Sequence, residues 1–135
     1  MSDAYRARTL TVDGGPTALG SAGQLTVVVD RPVAAGGRGL GFNGGQLLYL
    51  SIAACVSNDL YREAATMGIT IRRVAVEVDG DFPGRGAAST PVDVVVEIDA
   101  EADDAAVDAL LAEVDRVAEI PNSLRGTTPV SIRRA

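Results

Sequence analysis

Histidine is missing from this 135-residue chain, and cysteine occurs once, at Cys55. Without histidine the commonest transition-metal ligand and the commonest general base are gone, which excludes serine triads and histidine-based zinc hydrolysis. One cysteine excludes an internal disulfide and an all-cysteine metal site, so neither a metal nor a cofactor is expected. Lysine is absent too: all twelve basic residues are arginine, which, with the abundance of alanine, points to a GC-rich bacterial coding sequence rather than a binding surface. Long apolar runs are also lacking. Gly39, Gly41, Asn43, Gly44, Gly45 and Gln46 interrupt the uncharged stretch between Arg38 and Asp59, leaving about ten apolar residues, too few to span a bilayer. Met1 to Arg8 carries Asp3, Arg6 and Arg8 without an apolar core, unlike a signal peptide, and a cytoplasmic, reducing location is expected.

What is present describes a folded protein. Hydrophobic residues make up 47% of the chain and charged residues 22%, enough apolar surface for one core and hence a single domain over residues 1–135. The net charge of −6 repels phosphate backbones and anionic lipid, so no nucleic-acid or membrane partner is expected.

The patterning predicts strands at Tyr5 to Val12 and Gln24 to Asp30 as an antiparallel pair, with a polar turn near Ser21 between them. Residues 31–45 hold six glycines and read as a connector with a short third strand near Arg38 to Phe42. Asn43 and Gln46 have the spacing of a capping box, so a helix should start there and stop at Gly68. Strands follow at Ile71 to Asp79 and Pro91 to Asp99. The first alternates Ile71, Arg73 and Ala75 against Arg72, Val74, Val76 and Val78; the second sets Val92, Val94, Val96 and Ile98 against Asp93, Glu97 and Asp99. An amphipathic helix over Asp103 to Ala118, a break with one further turn at Ile120 to Gly126 and a closing strand at Pro129 to Arg133 complete the order.

Leu47 to Val56 is apolar on every helical face. One small sheet and one amphipathic helix cover only part of such a circumference, which predicts a homodimer with this helix in the interface. Gly39 to Gly44 satisfies the pattern G-x-G-x-x-G, but the acidic residue of a dinucleotide fold would then fall inside the helix, and a plain loop fits better. Asp103, Asp104, Asp108, Glu113 and Asp115 follow no calcium-loop pattern and read as a solvated helix face. Cys55 fits a small buried hydrophobe as well as a nucleophile. It lies about three turns from the helix start, beyond the reach of the dipole, and Asp59 would raise its pKa if it faced the thiol. Reactivity therefore calls for an arginine from elsewhere: Arg38, Arg125 or either residue's copy on a partner chain.

Asn43-Gly44-Gly45-Gln46-Leu47 through Ala53-Ala54-Cys55, with Ile120-Pro121-Asn122-Ser123 through Arg125-Gly126, resembles the two signatures of the OsmC/Ohr proteins. The resemblance implies an α+β fold with an antiparallel sheet and a long buried helix in an intertwined homodimer. It also implies a thiol protein of hydroperoxide and oxidative-stress defence that reduces organic hydroperoxides, with Cys55 at the peroxidatic position. The family's resolving cysteine is replaced by Ile120, the glutamate ten residues before the peroxidatic cysteine by Gly45, and the activating arginine of the first loop is replaced near Pro16. Such a chain would be at best a one-cysteine peroxidase whose sulfenate is reduced by an external thiol. The alternative is a noncatalytic member that binds a hydrophobic small molecule in the interface pocket or serves as a structural dimeric module.

Overall fold

The structure, a computed structural model, describes residues 5–135; the reading of the N-terminus as leaderless lies outside it for Met1 to Ala4. The chain forms two compact units, residues 1–47 and 48–135.

The first unit holds a three-stranded antiparallel sheet in the order β1 (Ala7–Thr11), β2 (Ala18–Ala22), β3 (Leu25–Val29). The expected pairing of the first and last of these strands is corrected, because β2 lies between them and pairs with both. Its sequence, Ala-Leu-Gly-Ser-Ala, has no β-branched residue and reads as a turn, but small side chains are what this central position accepts: a Cβ on Gly20 would meet Val27 and Val29 side chains at 3.4 Å.

The glycine-rich connector contains no third strand. A 3₁₀ turn at Val33–Ala35 is followed by a single bridge between Val29 and Phe42. Gly39 adopts φ +67°, which breaks extended backbone, and a Cβ on Gly41 would overlap the Val28 carbonyl. Asp30 gathers this connector. Its carboxylate, 4% exposed, accepts hydrogen bonds from the Thr17 hydroxyl and the Arg31, Arg38 and Leu40 amides at 2.7–3.3 Å.

Helix α1 (Gly44–Thr66) starts where the capping box predicts. The Gln46 amide donates to Asn43 Oδ1 at 2.9 Å and the Asn43 amide to Gln46 Oε1 at 3.0 Å. It ends at Gly68, with φ +70°.

In the second unit, β4 (Thr70–Asp79), β5 (Val92–Glu101) and β6 (Val130–Arg134) form a sheet in that order. β4 and β5 are antiparallel, whereas β6 runs parallel to β5, a pairing that needs the long crossover through α2 (Asp104–Val117) and α3 (Glu119–Leu124). The strict alternation expected for β4 fails at one point. A bulge between Ile71 and Arg73 shifts the phase, so Ile71 joins Val74, Val76 and Val78 against the core. On the opposite face of β5, Asp93 and Asp99 pair with Arg133 and Arg72 at 3.1 and 2.7 Å. Asp103 caps α2 by accepting from the Ala106 amide at 2.8 Å.

The core joins Ile52, Val56, Leu60 and Ala64 of α1 to Val92, Val94 and Val96 of β5 and Val107, Leu110 and Val114 of α2. The α1 residues are spaced by four and form one buried stripe. The helix is not buried on every face of the single chain: Leu50 and Tyr61, each 48% exposed, and Ala54 lie outside that stripe.

Burial opposes ionisation of Asp30, but its four hydrogen bonds outweigh this and hold the carboxyl below its usual pKa. A folded-state pKa lowered in this way stabilises above the unfolded value, about 3.9, and the contribution disappears as pH falls through the folded value. Asp30→Asn should therefore be less stable than the parent at pH 7, with the difference shrinking toward pH 3, as read from urea denaturation across that range.

Candidate functional site

Cys55 lies on α1, half-buried at the edge of the core and one residue before the fully buried Val56. Its thiol is within hydrogen-bonding range of two carboxylates. Sγ donates toward Asp59 Oδ2 at 3.8 Å and Glu119 Oε2 at 3.9 Å. Asp59 sits there because it is one helical turn further along α1, and its side chain is only 7% exposed. Glu119 arrives from the first residue of α3, 64 positions away in sequence. The other oxygen of each carboxylate faces Arg62, whose Nη1 is 3.2 Å from Asp59 Oδ1 and 3.5 Å from Glu119 Oε1.

Sequence reasoning anticipated Asp59 only conditionally, and it missed Arg62 and Glu119. The spacing of Asp59 and Arg62 was a legible signal for an ion pair. The position of Glu119 was not, since it depends on the crossover that brings α3 back.

The arginines expected to approach the thiol are engaged elsewhere. Arg38 pairs with Asp13 at 2.6 Å. Arg125 is bound to the Asp115 carboxylate and donates to the Asp115 carbonyl at 2.7 Å, Asn122 Oδ1 at 2.8 Å and the Val130 carbonyl at 3.1 Å. Within this chain their contacts are structural.

The electrostatics follow from this arrangement. Burial pushes the Cys55 thiol pKa up, and the charges of Asp59 and Glu119 push it further, against the Ile120 and Glu119 backbone amides, which favour the thiolate. Asp59 is raised chiefly by burial, with Arg62 opposing. The more exposed Glu119 is lowered, first by its own backbone amide and also by Arg62. Sγ and one oxygen of each acid lie within 4.8 Å of one another, a set that could reach a cation. Arg62 supplies positive charge to both carboxylates, which opposes one.

The sequence profile of OsmC-like proteins matches residues 36–133. The chain belongs to the OsmC-like protein family. This span contains Cys55, Asp59, Arg62 and Glu119. Solved OsmC-like structures share the fold: an OsmC-like protein from Mycoplasma pneumoniae superposes with a TM-score of 0.81 at 19% identity, covering 100% of this chain and 99% of that one. An organic hydroperoxide resistance protein OsmC from Legionella pneumophila gives 0.74 at 22% identity over 96% and 95% of the two chains. OhrB of Bacillus subtilis, an organic hydroperoxide resistance protein, gives 0.67 at 22% over 97% and 98%. No curated protein sequence matches this OsmC-like chain.

With a raised thiol pKa, alkylation of Cys55 by iodoacetamide should be slow at pH 7 and still accelerating above about pH 8.5, the ordinary thiol value. Glu119→Gln removes one of the repelling charges and should move this profile to lower pH.

Proposed function

We propose that this OsmC-like protein acts in defence against organic hydroperoxides as a one-cysteine peroxidase, with Cys55 as its nucleophile. The observation that carries this reading is the place of Cys55, a half-buried helix thiol within hydrogen-bonding range of two carboxylates, at the position that the resemblance to the family marks as peroxidatic. Relatives named as organic hydroperoxide resistance proteins support the substrate class.

Cys55 sulfur attacks the terminal peroxide oxygen, the O–O bond breaks, and the products are a Cys55 sulfenic acid and an alcohol. Ile120 stands where the family has its resolving cysteine, so no intramolecular disulfide forms. An external thiol condenses with the sulfenic acid, releasing water and leaving a mixed disulfide, and a second thiol regenerates Cys55.

We further propose that the protein works as a homodimer with α1 in the interface. Leu50, Ala54 and Tyr61 form an exposed stripe on α1, and Leu10, Leu19 and Val28, cross-strand neighbours in the first sheet, are 57%, 46% and 38% exposed. Apolar surface of this kind gains stability when a second chain covers it. A noncatalytic role is the second reading, favoured by the two acids that disfavour the thiolate. A groove of about 570 Å³ on the first sheet, lined by residues including Ala7, Gly20, Leu25, Val27 and Val29 but not by Cys55, offers that reading a place for a hydrophobic small molecule.

Two measurements check these proposals. Cumene hydroperoxide in mild excess should give a dimedone-trappable adduct on Cys55, absent in Cys55→Ser, and thiol-dependent turnover; an unmodified Cys55 would leave the noncatalytic reading. Sedimentation should show a dimer, with Leu50→Asp shifted to monomer because a carboxylate would be buried in an apolar contact.

A further inference from the structure

Asp59 and Arg62 stand apart from the rest of the surface charge. Most ion pairs among the described residues join groups that are both substantially exposed, such as Arg73 with Glu97 and Arg133 with Asp93. The Asp59 carboxylate is nearly closed off at 7% exposure, and its two oxygens are divided between one guanidinium and one thiol. A buried acid raised in pKa by its surroundings and touching a nucleophile is suited to accepting a proton and returning it.

We propose that Asp59 is the proton carrier of the Cys55 reaction and that Arg62 is the positioning residue that holds Asp59 and Glu119 against the sulfur. This deepens the peroxidase reading and rests on it. In the first step the Cys55 proton passes to Asp59 Oδ2. The thiolate then forms its bond to the terminal oxygen of an organic hydroperoxide, the O–O bond breaks, and the electron pair leaves on the alkoxide oxygen. Asp59 returns its proton to that alkoxide, which departs as an alcohol, so thiol and hydroperoxide have become sulfenic acid and alcohol with Asp59 unchanged. The charged groups around the reacting pair are Asp59 and Arg62 from α1 and Glu119 from α3, and Glu63 of α1 faces the other side of Arg62, with Oε1 2.8 Å from Nε. Glu119, 66% exposed and lowered in pKa, holds a proton less readily and contributes charge. The arrangement puts an arginine–carboxylate pair beside the thiol from residues C-terminal to it, in a chain with Gly45 on the N-terminal side.

The test compares two reactions of the full-length protein in single turnover: alkylation by iodoacetamide, which needs only the thiolate, and sulfenate formation with cumene hydroperoxide, which also needs a proton for the leaving alkoxide. Asp59→Asn should leave alkylation as fast as in the parent or faster, because a repelling charge is gone, and should slow the hydroperoxide reaction about 100-fold. Asp59→Glu should retain part of the rate. Arg62→Ala, at a half-exposed position suited to substitution, should slow the hydroperoxide reaction and move its pH profile upward, with Arg62→Lys restoring most of the change. If Asp59→Asn changes both reactions alike, or Arg62→Ala leaves the profile in place, the proton-carrier role is overturned while the peroxidase stands. A parent protein that forms no sulfenate overturns the peroxidase reading and the carrier role with it.

Discussion

The fold of the second unit depends on one stripe of α1. Ile52, Val56 and Leu60 are fully buried, and Val92, Val94 and Val96 of β5 and Leu110 and Val114 of α2 close around them. A helix that commits its Ile52–Val56–Leu60–Ala64 stripe inward fixes the direction of every other position on its circumference. Cys55 and Asp59, each one position before a buried member of the stripe, are consequently held at its edge, where sulfur and carboxylate meet α3.

This edge position accounts for the electrostatics of the thiol. A thiol on the outer face would sit in water with an ordinary pKa, and one in the stripe would meet only aliphatic carbon. At the boundary Cys55 is desolvated enough to resist ionisation and close enough to Asp59 and Glu119 to donate its proton. Arg62 offsets the repulsion between the two acids, whose outer oxygens it approaches at 3.2 and 3.5 Å. Had the guanidinium faced the sulfur, it would have favoured the thiolate directly. Its place behind the carboxylates leaves the sulfur facing the two acids rather than the guanidinium.

Elements with strong local signals were legible in the sequence. The capping box of Asn43 and Gln46, the stop at Gly68, the alternation of β5 and the amphipathic pattern of α2 each rest on interactions between near neighbours. What escaped depended on distant partners. β2 is a strand because β1 and β3 flank it, not because Ala-Leu-Gly-Ser-Ala prefers extension. The bulge near Arg72 is set by pairing with β5. The same division runs through the site: Cys55 and Asp59 share a helix face and could be related by counting, whereas Glu119 could not, and Arg125, a plausible activator by its place near α3, is occupied by Asp115 and Val130.

The parallel pairing of β6 with β5 has a consequence in time as well as in space. Parallel strands cannot close through a tight turn, and contacts between residues far apart in sequence carry the loop-closure cost that slows folding. Glu119 belongs to the crossover between these strands, so its place beside Cys55 depends on a long-range closure. During synthesis α1 is complete well before α3 and β6 exist, and the nascent thiol has Asp59 and Arg62 beside it but not Glu119. The two carboxylates meet the thiol only once a residue 64 positions further along the chain has been made.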